Sequence, residues 1–204
     1  MGRLKLKPAF YRRDTVAVAK SLLGKRLVRV ERGRRLAGRI VEVEAYLGAA
    51  DAAAHTFGGR RTARNEAMYL PGGHAYVFFV YGMHDCFNVV TKGKDEPEAV
   101  LVRALEPVEG VAAMKRFRRT ARERDLSNGP AKLCQALRIS RALNGADLSG
   151  REIFIETDLE PASGEIGASP RIGVDYAGEA AAWPLRFFLK GNPFVSKTRA
   201  LRGG

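Results

Sequence analysis

Two cysteines, Cys86 and Cys134, are all that 204 residues contain, so the chain is no disulfide scaffold. Three histidines, with no CxxC and no HExxH, leave no recognisable set of metal ligands. Neither a metal nor a cofactor is expected. No apolar run approaches the roughly 20 residues that span a bilayer. The opening Met1-Gly2-Arg3-Leu4-Lys5 lacks the apolar segment of a secretory signal. The cytoplasm is therefore the expected compartment (the nucleoid, for a bacterial source), with no membrane partner. Acidic side chains are also scarce: 22 Asp and Glu stand against 35 Lys and Arg, a formal charge of +13. That excess points to nucleic acid, to an anionic surface, or simply to a basic solvated exterior.

What is present suffices for a packed domain. Hydrophobic residues make up 46%, which excludes a disordered chain. Asp14 or Thr15 can cap a helix running to about Leu23, with Gly24 at its end. Arg26 to Glu31 and Leu36 to Tyr46 read as strands joined by a turn at Arg32-Gly33-Arg34-Arg35. Gly48 to Gly73 has little periodicity and reads as a long ordered loop, of the kind that usually carries function. His74 to Val80 and Met83 to Thr91 read as a hairpin turning near Tyr81-Gly82. Val100 to Leu105 is a further strand, ended by Pro107. Val108 to Arg119 has helical spacing. Pro130 opens another helix through Leu137. Ile153 to Glu156 and Leu185 to Lys190 are short strands, and Asp158 to Arg171 is loop. One α+β domain over residues 1–204 is the economical architecture.

Glu42 and Glu44 sit in the otherwise apolar run Ile40 to Gly48. Strand alternation puts Val41, Val43 and Ala45 on one face, and Ile40, Glu42, Glu44 and Tyr46 on the other. A buried carboxylate is costly unless it is paired or used. Arg103 is a similar lone charge in the strand Val102 to Leu105, which invites pairing with Glu44. A structural ion pair and a catalytic one both remain open. Glu42 lies roughly 6.6 Å from Glu44 along the strand, near the carboxyl separation of an inverting sugar hydrolase. An ion pair behind the site competes with that reading. His55 gains interest only from its nearness to the Glu44–Tyr46 strand. Tyr76, Phe78 and Val80 share one strand face, and Val77 and Phe79 the other, with most of these rings expected in the core. Tyr81, at the hairpin tip, suits an exposed wedge. Asn88 is either a satisfied core amide or a base-reading group. Arg60, Arg61, Thr62 and Arg64 suit phosphate contacts, though a solvated cluster would look the same.

Together the motifs resemble the alkyladenine (3-methyladenine) DNA glycosylase family. The resemblance is carried by Val41-Glu42-Val43-Glu44-Ala45-Tyr46-Leu47-Gly48, His55, Gly58-Gly59-Arg60, Arg64-Asn65, Tyr81-Gly82-Met83, Asn88 and Arg103-Ala104-Leu105-Glu106-Pro107. Gly129-Pro130, Lys132 to Leu137, Arg171-Ile172-Gly173-Val174 and Pro184-Leu185-Arg186-Phe187 extend it, from about Leu22 to Ser196.

The resemblance implies a mixed α/β domain on a curved antiparallel sheet, with surrounding helices and a protruding β-hairpin. It implies a monomer that acts on double-stranded DNA containing damaged purines. The implied reaction is hydrolysis of the N-glycosidic bond by water, without a lysine Schiff base or strand cleavage. By position, Glu44 matches the general base, and Arg103 and the Val174 backbone the groups that hold water with it. Tyr46, His55, Phe78 and Asn88 match the base pocket. Tyr81, with Met83, matches the intercalating hairpin, and Arg60, Thr62, Arg64 and Lys132 the phosphate contacts. Three departures bear on substrate range: Phe78 in place of a tyrosine, Ala63 in place of a proline, and Asp175-Tyr176 in place of Gly-His. A non-catalytic RNA- or DNA-binding protein, and an O-glycoside hydrolase using Glu42 and Glu44, are the alternatives.

Overall fold

The computed structural model describes residues 2–80 and 83–196. Eight strands form one antiparallel sheet: β1 Arg26–Glu31, β2 Arg34–Tyr46, β3 Ala75–Val80, β4 His84–Thr91, β5 Glu98–Glu109, β6 Ile153–Glu156, β7 Ile166–Ser169 and β8 Arg186–Leu189. Four helices accompany it: α1 Pro8–Tyr11, α2 Thr15–Leu22, α3 Val111–Arg118 and α4 Pro130–Leu137. The α+β architecture with a hairpin is as the sequence implies.

Strand β2 organises the sheet. Along one edge it pairs with β5 from Ala37 to Tyr46. Along the other it pairs with β1 up to Arg39, then with β8 from Glu42 to Glu44. Register shifts between Ile40 and Val43 mark a bulge at this change of partner. Bulges bend a strand and re-aim its side chains. Here the bulge overturns simple alternation: Ile40 joins Val43 and Ala45 in the main core instead of sharing a face with Glu44. Gly38 allows a second close approach, because a Cβ there would lie 2.7 Å from Leu105 Cβ.

The main core lies between the sheet and helices α2, α3 and α4. Helix α2 buries Thr15, Val18, Ala19 and Leu22, the i, i+3, i+4, i+7 stripe that faces a core. The Asp14 carboxylate caps it by accepting from Ala17 N at 2.9 Å. Helix α4 starts with Pro130 at its first turn and buries Leu133, Cys134, Ala136 and Leu137. No helix among the described residues is long and apolar enough to cross a membrane.

Three expectations are corrected. Strand β5 does not stop at Pro107 but continues to Glu109. It is tolerated because β4 pairs with β5 only from Glu98 to Leu101, so Pro107 has a strand on one side alone. Helix α3 consequently begins at Val111, after Gly110 turns the chain at φ +75°. The supposed loop from Asp158 to Arg171 contains β7, where Gly167 makes room for the Phe188 ring. The long loop after Gly48 is ordered, through short 3-10 turns at Gly48–Ala50, Phe57–Gly59 and Glu66–Tyr69.

Candidate active site

The β2 bulge and the β5 pairing carry Glu42, Glu44 and Arg103 to one place. All three are buried. Arg103 donates from Nε to Glu42 Oε1 at 3.0 Å and from Nη1 to Glu44 Oε2 at 3.1 Å. Burial works against the guanidinium charge, but Glu44 and Glu42 outweigh it and raise the pKa of Arg103. The two lone charges of the sequence do meet, together with a third.

The two carboxylates differ in what remains open to them. A carboxylate offers about four acceptor positions. Glu42 receives four donors: Arg103 Nε, Arg186 Nε at 2.7 Å, Ser196 N at 2.6 Å and Ser196 Oγ at 2.7 Å. Burial would raise its pKa, yet Arg103, Arg186 and Ser196 together hold it below the ordinary carboxylate value. Three of these donors fall on Oε1 and one on Oε2, and Glu42 does not line the cavity that Arg103 lines, which places it poorly as the second acid of a sugar hydrolase. Glu44 receives three donors among the described residues: Arg103 Nη1, the Tyr46 hydroxyl at 3.0 Å and Ile172 N at 2.7 Å.

Those three partners of Glu44 all line a cavity of about 370 Å³. Its volume falls within the range of small-molecule sites, about 300–1,000 Å³. Glu44 itself lies behind the lining, with no exposed surface. No other carboxylate, and no lysine, lines the cavity among the described residues. The walls come from two apolar clusters. Tyr76, Phe78, Met68 and Ala99 belong to one, and Tyr46, Ala53 and Val174 to the other. Phe78 stacks on Tyr76 with centroids 5.4 Å apart, and His55 meets Phe78 edge-on at 4.5 Å. His55 Nδ1 lies 2.8 Å from the Tyr76 hydroxyl. Desolvation by its neighbours, then the charges of Arg64 and Arg60, lower the His55 pKa. The imidazole is accordingly neutral at neutral pH.

Asn88 is a satisfied buried amide that also borders the cavity. It is buried, its Nδ2 donates to the Tyr76 carbonyl at 3.1 Å, and it lines the cavity. The alternation of β3 holds, since Tyr76, Phe78 and Val80 all face the cavity. Val174 is buried in the lining, and its carbonyl accepts from Ala177 N at 2.9 Å. The backbone group that bonds Glu44 directly is Ile172 N, two residues earlier.

The basic loop divides. Arg60 is exposed at the rim. Arg61 is engaged by Glu66 and Asp95 and is not available in the way Arg60 is. Arg64 lines the cavity and donates to the Phe79 carbonyl at 2.6 Å. It also lines a neighbouring hollow of about 480 Å³, none of whose lining residues bonds Glu44. Thr62 N donates to Asn65 Oδ1 at 2.7 Å. Lys132 Nζ donates to Asn128 Oδ1 at 2.8 Å. Met83 is 66% exposed at the hairpin end, and Tyr81 lies outside the described residues.

Several site residues escaped sequence reasoning. Asn65 is buried and donates to the His55 and Arg60 carbonyls, so one amide shapes the loop that presents both. Asp51 and Arg171 form a fully buried ion pair. Arg171 also donates to the Ala45 carbonyl and covers the Tyr46 ring, 4.8 Å from its centroid. Only the apparent charge mismatch of Asp51 and Arg171 with their surroundings could have flagged them.

An aromatic cavity backed by a buried carboxylate, in a protein of charge +13, has the make-up of an enzyme site for a planar group on a polyanion. The methylpurine-DNA glycosylase family model matches residues 9–193, and the chain belongs to that family of DNA-repair hydrolases. It is 49% identical over 201 residues to a Clostridium acetobutylicum protein named "Putative 3-methyladenine DNA glycosylase", covering 95% of this chain and 98% of that one. Proteins with the same name from Bacillus cytotoxicus and Bacillus cereus are each 48% identical. These alignments cover 95% and 93% of this chain, and 100% and 98% of the relatives.

Proposed function

We propose that this DNA glycosylase excises alkylated purines, 3-methyladenine among them, from double-stranded DNA, using water activated by Glu44. One observation carries the reading. Glu44 accepts from three residues of the cavity lining, Arg103, Tyr46 and Ile172, and its Oε1, with one donor among the described residues, has an acceptor position to spare.

A stacked base hides its C1′ carbon, so the nucleotide turns out of the duplex at a cost of about a few kcal/mol. Tyr81, with exposed Met83 beside it, fills the gap left in the stack. Arg60, Thr62, Arg64 and Lys132 hold phosphates on either side and supply salt-sensitive affinity. The purine enters against Tyr46, His55 and Phe78. A cationic alkylated base gains from these electron-rich rings, and the neutral His55 adds no repulsion. Asn88 limits what the base edge can carry.

Glu44, oriented by Arg103 and the Ile172 N–H, accepts a proton from water as its oxygen bonds to C1′. The C1′–N bond breaks, and its electron pair neutralises the departing cationic purine. Alkylation has already made that base a good leaving group, so one carboxylate suffices. With no lysine in the lining, the reading includes no Schiff base and no strand cleavage.

Methylated duplex DNA incubated with the protein tests this. Free 3-methyladenine should appear, together with abasic sites that break only after alkali. No base release, or strand breaks before alkali, would contradict it. DNA binding without release would favour a non-catalytic binding protein.

A further inference from the structure

The segment after β8 returns beneath the catalytic carboxylates. Arg124 Nε donates to the Pro193 carbonyl at 2.9 Å. Ser196 ends this course with both its backbone N–H and its hydroxyl on Glu42. Arg186 supplies the fourth donor to Glu42 and also reaches the Ser196 carbonyl at 3.4 Å. Glu42 in turn grips Arg103 at Nε, while Arg103 turns Nη1 to Glu44. The strap thus reaches a carboxylate that does not line the cavity above Glu44, but whose partner Arg103 does.

We propose that Ser196, acting through Glu42, is a positioning residue for Arg103 in base excision. An arginine held at one nitrogen alone can roll about its stem. Holding Nε against Glu42 fixes the plane of the guanidinium, and so fixes where Nη1 meets Glu44. Glu42 can do this only while its own orientation is fixed. Three donors besides Arg103 do so, two of them from Ser196. This inference rests on Glu44 as the general base.

Three variants test it: Ser196→Ala, Ser196→Thr and Glu42→Gln. Single-turnover release of 3-methyladenine, affinity for the methylated duplex and thermal unfolding are measured for each. Ser196→Ala should slow release about tenfold, the effect of one buried charge-assisted hydrogen bond. Affinity should stay unchanged, and Ser196→Thr should restore the rate.

Glu42→Gln tests the next link of the same chain. An uncharged amide holds Arg103 Nε less firmly than the carboxylate does, so release should slow while affinity for the duplex is kept. An undiminished rate in Ser196→Ala or in Glu42→Gln, a failure of Ser196→Thr to restore the rate, or a loss that merely follows the unfolded fraction would each overturn the proposal. Glu44→Gln separates the two ideas. If it keeps activity, the general-base assignment fails. If it abolishes activity while the other variants behave as wild type, only the strap fails. Should Glu42→Gln not fold, the Ser196 pair decides alone.

Discussion

At the scale of single residues, the site depends on how each carboxylate and amide is satisfied. Glu42 and Glu44 are two positions apart on the same strand, yet Arg186 and Ser196 hold one behind the site while all three partners of the other line the cavity. Asn65 has a comparable structural part. It accepts from Thr62 N and donates to the His55 and Arg60 carbonyls. Asn65→Ala strands those part-buried groups, and we expect a loss of about 1 kcal/mol in urea unfolding. A change near zero would show that the loop holds itself. The meeting of Glu44 and Arg103 was legible because each is a charge isolated in an apolar strand. The Asp51–Arg171 pair was not. Its members lie 120 residues apart, each in an aperiodic stretch that gives no clue to which distant charge it meets.

At the scale of elements, periodicity located β1 and β2, the β3–β4 hairpin, α2 and α4 within a residue or two of their ends. It failed where pairing, not pattern, decides. Strand β5 runs through a proline because one of its sides has no strand there. Strand β7 is short and exists by pairing with β8. The bulge in β2 is invisible to a strict two-residue period, because it arises where β1 gives way to β8. The close contact at Gly38 belongs to the same curvature. Gly38→Val places a side chain against Leu105 Cβ, 2.7 Å from where its Cβ would stand. Overpacking of this kind costs about 1–3 kcal/mol. Chemical denaturation should show the midpoint falling with an unchanged slope, and an unchanged midpoint would mean that β2 and β5 can separate freely.

At the scale of the whole molecule, buried ion pairs tie distant parts of the chain to the site, and their titration sets the acid limit of stability. Glu42 and Asp51 are both fully buried. Burial would raise the pKa of Asp51, but Arg171 and the N–H groups of Leu47 and Ala53 overcome it and hold it below 3.8. Glu42 is held below 4.5. The folded protein therefore binds these protons less readily than the unfolded chain. Their contribution is complete above the unfolded values and is lost as pH falls through the lower folded ones. Thermal unfolding temperature should be level above about pH 5 and decline below it. A decline beginning near neutrality would assign acid sensitivity to other groups. The basic exterior was plain from composition, whereas the arrangement of acid inside it required the fold.

In the proposed reaction, the activity turns on one carboxylate behind the cavity floor. Single-turnover base release by Glu44→Gln, from a duplex carrying 3-methyladenine, tests that most directly. The variant should bind the damaged duplex as the parent does and release base at least about a hundredfold more slowly, the range for loss of a general base. Release at the parental rate would contradict the account.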